Sequence, residues 1–475
     1  MNDPKIPADS PSPATDLTRR NFLRSSAAAG SALYLATGKR AYAQAKADAL
    51  NIAIVGCGDQ GNALMNASRG TVDSHGINYV AVCDIWEVNR SRMARTLQKY
   101  GFPVKDYIDI EDMLSGSPEI DAVLIATPDF MHAPHSRLCL EAGKQVYCEK
   151  MMSNTLEGAT DMVRAQRETG KLLQIGHQRR SNPRYLNAHN NVINGAEILG
   201  RVTHAYGQWN RAVSQPIGAP KSPLDQATLQ KYGYGSMMEF RNWRWYQEYG
   251  GGPVSDLGAH QIDLFNWMFN TTPKSIIASG GIDYYDEFEM PDNAMIIYEY
   301  DTPKGIARAY YQVLTTTSSQ SFYEKFMGTD GTVTISEVAA NGNQAYREAH
   351  AEPWVAFGEK GFLSKEATKE AVHHKFWEHP KPWYRPSKWL DTGNIVDVRE
   401  TAALDPWELG VSLDKPAHQP HLENFFEVCK GSQNQEDLNC PVIEAYKTCV
   451  TVLKVNEAIA QQKRLEFRPD EFTVS

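Results

Sequence analysis

Three glycines at the spacing G-x-G-x-x-G follow a short, β-branched apolar run near residue 50. Glycines at this spacing allow a tight turn, a close approach of the backbone to a diphosphate, and close packing of a helix on a strand. The diphosphate would accept hydrogen bonds from free N–H groups at the start of the following helix. The alternative is a glycine turn in another α/β fold. The predicted nucleotide loop consists of Gly56, Gly58, Asp59, Gln60 and Gly61.

A carboxylate stands at the end of the next apolar run, residues 79–83. Asp84 follows the glycines by about 20 residues, where a carboxylate can accept a hydrogen bond from a ribose 2′-hydroxyl. Because a carboxylate repels a 2′-phosphate, NAD is the predicted cofactor. Arg90 and Arg92 lie close in sequence, which leaves NADP open.

A pair of residues suited to acid–base chemistry lies in the second half of the chain. Asp256 and His260 are four residues apart in the predicted helix 254–268, so they share one face of it. Histidine titrates near neutral pH and can act as a base, and a nearby carboxylate can orient it. The alternative is a buried or capping histidine. Asp263 belongs either to this set or to the structural partners inside the helix.

Strands and helices alternate over the first part of the chain. Strands are predicted at 79–83, 120–126, 145–148 and 172–175, and helices at 62–68, 87–100, 135–142 and 155–169. This alternation predicts a doubly wound parallel sheet that binds ligands at the carboxyl ends of its strands. The polar residues after these strands include Thr127, Pro128, His132, Glu149, Lys150 and Arg180.

The pattern changes after residue 183, where strands follow one another without long helices between them. They are predicted at 202–209, 275–284, 294–300, 306–314, 321–327 and 332–336. The fold class is therefore α/β: an N-terminal Rossmann sheet at 46–180, and a C-terminal α+β domain at 181–475 with an open, mostly antiparallel sheet. Residues 341–420 are rich in Trp, Pro and His, and we interpret them as an insertion that acts as a lid or a subunit arm. The pair His373 and His374 lacks metal-ligand spacing, and we predict no metal site.

Several of these motifs together resemble the Gfo/Idh/MocA oxidoreductase family. They are the glycine turn, Ala126-Thr127-Pro128 with His132, Cys148-Glu149-Lys150, and the turn with Arg180 and Pro183. The resemblance implies catalysis by Lys150, Asp256 and His260. It implies cofactor contacts from Thr127, Pro128, His132, Glu149 and Lys150, in addition to the glycine loop and Asp84. It implies substrate contacts from Lys150, Arg180, Asp256 and His260.

The activity implied by the resemblance is hydride transfer between a tightly bound nicotinamide cofactor and a hydroxyl of a sugar, glycoside or cyclitol. Such a reaction needs a base for the hydroxyl proton and a donor to the developing alkoxide, which histidine and lysine supply. The alternatives are a redox-assisted glycosidase and a non-catalytic sugar-binding protein. The family also implies a homo-oligomer formed through the open sheet. One departure is that Met151 and Met152 stand where the family usually has a proline, so Lys150 is free to point differently.

The N-terminus has the features of an export signal. Arg19 and Arg20 precede Phe-Leu, an uncharged Ala-rich stretch follows at 25–38, and Ala43-Gln44-Ala45 offers a cleavage site. The stretch is too short to span a membrane stably. We therefore predict a twin-arginine signal at 1–45, the twin-arginine export machinery as a partner, and a periplasmic enzyme that resembles the glucose–fructose oxidoreductase branch. The alternative is an amphipathic helix with chance arginines.

Overall charge and cysteine usage argue against two classes of function, nucleic-acid binding and metal binding through cysteines. The net charge of −9 and the pI near 5.8 argue against a nucleic-acid-binding surface. Seven cysteines make no metal motif. Cys57, Cys83 and Cys148 lie in or beside predicted core strands and are expected to be small buried side chains, while Cys429 and Cys440 could pair in an oxidising compartment.

Overall fold

The computed structural model describes residues 49–365 and 406–475. The predicted export signal and the paired histidines of the insertion lie outside the described residues. Two sheets organise the described part of the chain, and a cleft separates them.

The first sheet has six parallel strands in the order β3-β2-β1-β4-β5-β6, which confirms the predicted doubly wound architecture. Side chains of its central strand alternate between two cores: Ala53 and Val55 face one, and Ile52 and Ile54 the other. The strands are β1 (Leu50–Val55), β2 (Ile77–Cys83), β3 (Lys105–Tyr107), β4 (Ala122–Ile125), β5 (Gln145–Cys148) and β6 (Leu173–Ile175).

Helices connect these strands. Thr155 caps one of them by accepting a hydrogen bond from Gly158 N, and Gly170 ends it in the left-handed conformation. They are α1 (Asp59–Arg69), α2 (Val72–His75), α3 (Glu87–Lys99), α4 (Ile110–Gly116), α5 (Asp129–Glu141) and α6 (Leu156–Thr169).

One helix begins earlier than predicted. The expected start at residue 135 is wrong, because α5 starts at Asp129 directly after Pro128. Pro134 lies inside the helix. Because proline usually interrupts helices, the sequence indicated that the helix begins only after it. As a result, His132 is a helical residue rather than part of a loop.

The second sheet has nine strands in the order β14-β13-β12-β11-β7-β10-β9-β8-β15. Only the β10–β7 pair is parallel, so the prediction of a mostly antiparallel sheet is confirmed. The strands are β7 (Val202–Asn210), β8 (Pro273–Gly281), β9 (Asn293–Thr302), β10 (Gly305–Leu314), β11 (Phe322–Gly328), β12 (Gly331–Ile335), β13 (Gln344–Arg347), β14 (Trp407–Glu408) and β15 (Leu465–Glu466).

Seven α-helices of the described residues belong to the second part of the chain. One turn of π-helix, Val254–Gly258, leads directly into the helix that carries His260. The α-helices are α7 (Pro183–Asn187), α8 (Gln226–Lys231), α9 (Met237–Arg241), α10 (Ala259–Phe269), α11 (Val355–Glu359), α12 (Gln419–Cys429) and α13 (Val442–Gln461).

Helix α12 returns to the first sheet. Leu422, Phe425 and Phe426 are fully buried in the same core as Ile52 and Leu64. The predicted division into 46–180 and 181–475 stays a prediction, and the core of the first sheet includes this late segment of the chain.

All seven cysteines are free thiols. Cys57, Cys83 and Cys148 are buried, as predicted. Cys429 and Cys440 are not bonded to each other. Among residues 49–365 and 406–475, no helix is long and apolar enough to cross a membrane.

Candidate active site

The glycine loop connects β1 to α1 and fits a dinucleotide. Gly56 has a φ of +88°, and a Cβ atom there would lie 2.5 Å from the carbonyl oxygen of Ala126. At Gly61 a Cβ atom would lie 1.9 Å from the carbonyl oxygen of Gly56. Both positions therefore require glycine, and Gly58 stands at the N-cap of α1, where backbone N–H groups face outward.

Asp84 lies at the end of β2 beside this loop. Its two carboxylate oxygens accept hydrogen bonds from the backbone N–H groups of Cys57 and Trp86, both at 2.7 Å. Burial raises the pKa of this carboxyl, while the two N–H donors favour its charged form. Arg90 donates to the carbonyl oxygen of Asp84 at 2.7 Å and contacts Asp106 at 3.3 Å, so it is already engaged inside the protein.

A cleft of about 1470 Å³ runs from this loop to the second sheet. Three predicted site residues do not line it: Gly61, His132 and Arg180. The predicted site residues that line it are Gly56, Gly58, Asp59, Gln60, Asp84, Thr127, Pro128, Glu149, Lys150, Asp256 and His260.

Lys150 and Asp256 meet in the middle of the cleft. Lys150 Nζ donates to the backbone oxygen of Asp256 at 2.6 Å and lies 3.6 Å from its Oδ1. The lysine therefore points into the site although Met151 replaces the family's proline; the Lys150–Met151 peptide bond is cis. Arg244 Nε donates to Asp256 Oδ1 at 2.8 Å, and Arg211 Nη1 lies 3.7 Å from Oδ2. These cations hold the pKa of Asp256 well below its usual range.

His260 lines the cleft on α10 beside the ring of Trp209, with 5.5 Å between ring centroids. Burial, reinforced by the positive charge of Lys150, lowers the pKa of His260 well below its usual value. The imidazole is therefore neutral at neutral pH and able to accept a proton. The expectation that Asp256 orients it is wrong, since the Asp256 carboxylate is bound by Arg244 and Nδ1 of His260 has no partner among the described residues.

Arg180 is a buried structural residue, which contradicts its predicted substrate contact. Its Nε and Nη2 donate to the two carboxylate oxygens of Asp263 at 2.9 and 2.8 Å. Asp263 also accepts from Thr448 at 2.7 Å, and both charged side chains are almost fully buried. Burial without pairing would be costly, so each ion requires the other. The interpretation of Asp263 as a structural partner inside the helix is thereby favoured.

His132 supports the site from behind rather than lining it. Its Nδ1 lies 2.5 Å from the carbonyl oxygen of Met151, and its Nε2 lies 2.7 Å from that of Thr127. The ring thus lies between the loop after β4 and the turn that carries Lys150, and its N–H can donate to one of the two carbonyl oxygens. Glu149 lines the cleft while being largely buried, and its carboxylate lies 3.3 Å from the backbone nitrogen of Lys150.

The sequence did not indicate three charged residues of the cleft. Arg211 follows β7, Arg244 lies in a short 3₁₀ turn, and Asp129 opens α5. Burial raises the pKa of Asp129 to about 7. Asp129 belonged to the polar stretch after β4, but the arginines come together with Asp256 only through the tertiary fold, and no spacing in the sequence connects them.

Residues 211–250, which we call the strap, cross the cleft from the second domain to the first. Trp86 Nε1 donates to the carbonyl oxygen of Ser222 at 2.9 Å, and the Tyr232 hydroxyl donates to Asp109 at 2.6 Å. Aromatic contacts add to this attachment, including an edge-on pair of Trp86 and Phe240 with centroids 5.8 Å apart. The strap therefore covers the end of the cleft near Asp84.

Two family models match the chain. The model described as an oxidoreductase family with an NAD-binding Rossmann fold matches residues 50–177, and the model of the GFO/IDH/MocA C-terminal domain matches residues 196–334. The chain belongs to the Gfo/Idh/MocA oxidoreductase family. Its first domain is accordingly an NAD-binding Rossmann domain, in agreement with the glycine loop and Asp84.

Curated members of this family resemble the chain over about half their length. Inositol 2-dehydrogenase of Salmonella typhimurium (strain LT2) is 32% identical over 228 residues, which cover 48% of this chain and 56% of that protein. The NADP(+)-dependent scyllo-inositol 2-dehydrogenase of Bacillus subtilis (strain 168) is 25% identical over 235 residues, covering 49% and 55%.

Solved structures share the fold along most of the chain. The WlbA dehydrogenase of Chromobacterium violaceum, in complex with NADH and UDP-GlcNAcA, superposes with a TM-score of 0.62 at 17% identity over 89% of this chain and 97% of that one. Aldose-aldose oxidoreductase of Caulobacter crescentus, complexed with glycerol, gives a TM-score of 0.59 at 16% identity over 88% and 100%.

Proposed function

We propose that the protein is an NAD-dependent oxidoreductase that transfers a hydride between a tightly held nicotinamide cofactor and a hydroxyl of a sugar, glycoside or cyclitol. The observation that carries this proposal is the convergence of Lys150, Asp256 and a neutral His260 in one cleft with the glycine loop. The curated relatives named above are inositol dehydrogenases, which supports a polyhydroxylated substrate.

Each residue of the site has a distinct task in this reaction. His260 is the group that takes up the hydroxyl proton, and burial and Lys150 keep its imidazole in the neutral form that a base requires. Lys150 donates a hydrogen bond to the oxygen as negative charge develops on it. Asp256 keeps Lys150 and Arg244 in position through contacts on its backbone oxygen and its carboxylate. The nicotinamide, when bound, supplies the acceptor for the hydride.

Two features support a cofactor that stays in place between turnovers. The glycine loop and Asp84 fit the diphosphate and the ribose, and Arg90 is engaged with Asp84 and Asp106 instead of a 2′-phosphate. The strap covers the adjoining end of the cleft. We therefore propose NAD rather than NADP, and slow exchange with solvent.

The first experiment is mass spectrometry of the small molecules released when extensively washed, full-length protein is heat-denatured. We expect stoichiometric NAD(H). The second step adds sugars, glycosides and inositols to the loaded protein and follows the near-ultraviolet absorbance of the reduced nicotinamide. Absence of any redox change with all of these substrates would contradict the proposal. Product analysis in the same assay distinguishes an oxidised sugar from the hydrolysed glycoside that the alternative glycosidase would release.

We also propose that the protein is exported to the periplasm by the twin-arginine machinery. Arg19 and Arg20, the apolar stretch and the Ala43-Gln44-Ala45 sequence support this proposal. Replacing both arginines with lysine should retain the uncleaved chain in the cytoplasm. Fractionation followed by mass determination of the mature N-terminus tests this, and a protein that is processed and exported without the arginine pair would contradict it.

A homo-oligomer formed through the open face of the second sheet is the remaining proposal. Ile277, Ile297, Tyr310 and Tyr206 are paired in register across β8, β9, β10 and β7, and the two isoleucines are 47% and 44% exposed. A continuous apolar row of this kind is typical of a contact surface. Sedimentation velocity should show a multiple of the chain mass, and Ile297→Asp should lower it, whereas Val355→Asp, 60% exposed on a helix, should not.

A further inference from the structure

Three cations gather around the Asp256 carboxylate in the middle of the cleft, and two further carboxyls, Asp129 and Glu149, also line the cleft. Lys150, Arg211 and Arg244 surround the single carboxylate of Asp256 at 2.8 to 3.7 Å. Glu337, a further acidic residue of the cleft, is occupied by Arg179 at 2.9 Å and by Gln178 at 3.2 Å. The whole chain has a net charge of −9, so this clustering of cations is not a general property of its composition.

The two arginines keep donors available toward the cleft. Arg211 is 43% exposed, and its ion-pair distance of 3.7 Å to Asp256 is too long for a hydrogen bond. Arg244 is 44% exposed and uses Nε for Asp256, while its terminal nitrogens have no hydrogen-bond partner among residues 49–365 and 406–475. Cζ of Arg244 lies 4.3 Å from the centroid of the Trp243 ring, and this cation–π contact restricts the position of the guanidinium group.

An aromatic wall lies beside these donors. Trp245 and Phe288 are stacked with centroids 5.2 Å apart, and Tyr285 lies 5.0 Å from Trp245. All three line the cleft. Such rings offer an apolar surface to the C–H face of a sugar ring, and a planar guanidinium pairs with carboxylate or phosphate oxygens.

From this arrangement we infer that the substrate is an acidic sugar, whose carboxylate or phosphate is bound by Arg211 and Arg244 while its hydroxyl meets His260. This inference rests on the proposed oxidoreductase function and names the substrate class for the same site. Carboxylate or phosphate oxygens accept charge-assisted hydrogen bonds from the available donors of both guanidinium groups, and these bonds are stronger than those to a neutral hydroxyl.

The test uses the full-length, NAD-loaded protein and titration calorimetry with matched ligands. D-glucuronate and D-glucose 6-phosphate are each compared with D-glucose, and D-galacturonate with D-galactose, so the arms separate carboxylate from phosphate. At least one acid should bind about ten-fold or more tightly than its neutral partner, with an advantage that shrinks as salt is added. Arg211→Gln and Arg244→Gln should each remove most of this advantage, whereas Arg468→Gln, 71% exposed beside Asp470, should not.

Three results would overturn the inference: equal or tighter binding of both neutral sugars, absence of binding by all three acids, or an acid preference that persists in both cleft variants. Bound NAD is measured in every variant. Loss of NAD from Arg244→Gln with the acid preference intact would assign Arg244 to the cofactor diphosphate. Hydride transfer to or from neutral sugars alone defeats the inference and leaves the proposed function standing. Tight acid binding without any change of nicotinamide redox state would instead support the acidic ligand and contradict the proposed oxidoreductase function.

Discussion

At the scale of single residues, the state of His260 is the most consequential feature. It is neutral because burial and Lys150 disfavour its charged form, and the Asp256 carboxylate is bound by Arg244. We expect His260→Ala to lower kcat by about 100- to 10,000-fold, as for the loss of a general base, with bound NAD unchanged. His350→Ala, with a side chain 70% exposed, is the matched control. Wild-type turnover in His260→Ala would exclude the histidine as the base.

Residues at the ends of strands were predictable, and residues that reach the site from elsewhere were not. The glycine loop, Asp84 and Lys150 follow apolar strands directly, and parallel strands bring their carboxyl ends together. Arg180 also follows a strand, but it forms an ion pair with Asp263, a buried carboxylate one helical turn beyond His260. Which of two polar side chains faces the cleft depends on packing across the domains, which a linear pattern does not contain.

At the scale of elements, the strap decides how easily the cleft opens. Its attachment to the first domain depends on the Trp86–Ser222 hydrogen bond, the Tyr232–Asp109 hydrogen bond and an aromatic cluster. Trp86→Ala should speed the loss of bound NAD by about ten-fold or more, because an aromatic contact and a hydrogen bond together contribute at least about 1.4 kcal/mol. Dialysis followed by quantification of the retained nucleotide measures this.

Trp267→Ala is the control for the strap, because its ring stacks on His189 instead of on strap residues. An unchanged release rate in Trp86→Ala would show that the strap does not retain the cofactor. The strap escaped prediction because residues 211–250 contain only short helical turns, such as α8 and α9, and lack the sustained apolar period by which longer helices are recognised.

At the scale of the whole molecule, buried histidines make stability depend on pH. Burial lowers the pKa of His132, His135 and His177 to about 4 and that of His421 to about 3, below the ordinary value near 6.5. The unfolded chain therefore binds more protons, and stability present above about pH 6.5 is lost as the pH falls toward 4. At about pH 5 each of these histidines has lowered the free energy of unfolding by about 2 kcal/mol. Asp129, whose pKa is raised to about 7, stabilises the folded chain as the pH falls and offsets part of this loss.

Denaturant unfolding across this pH range tests the expectation. The free energy of unfolding should decrease from neutral to acidic pH, and His421→Gln should flatten the slope by about one proton. A slope of zero, or stability that rises as the pH falls, would contradict it.

The return of α12 to the first sheet determines the order in which this protein is completed on the ribosome. Leu422, Phe425 and Phe426 seal the core that contains Ile52 and Leu64, yet they are synthesised long after those residues. Until they emerge, the nascent nucleotide domain keeps an open apolar flank, the kind of surface that is prone to aggregate. We therefore expect a chain truncated before this helix to have an unfinished first domain, and NAD binding to follow the synthesis of α12.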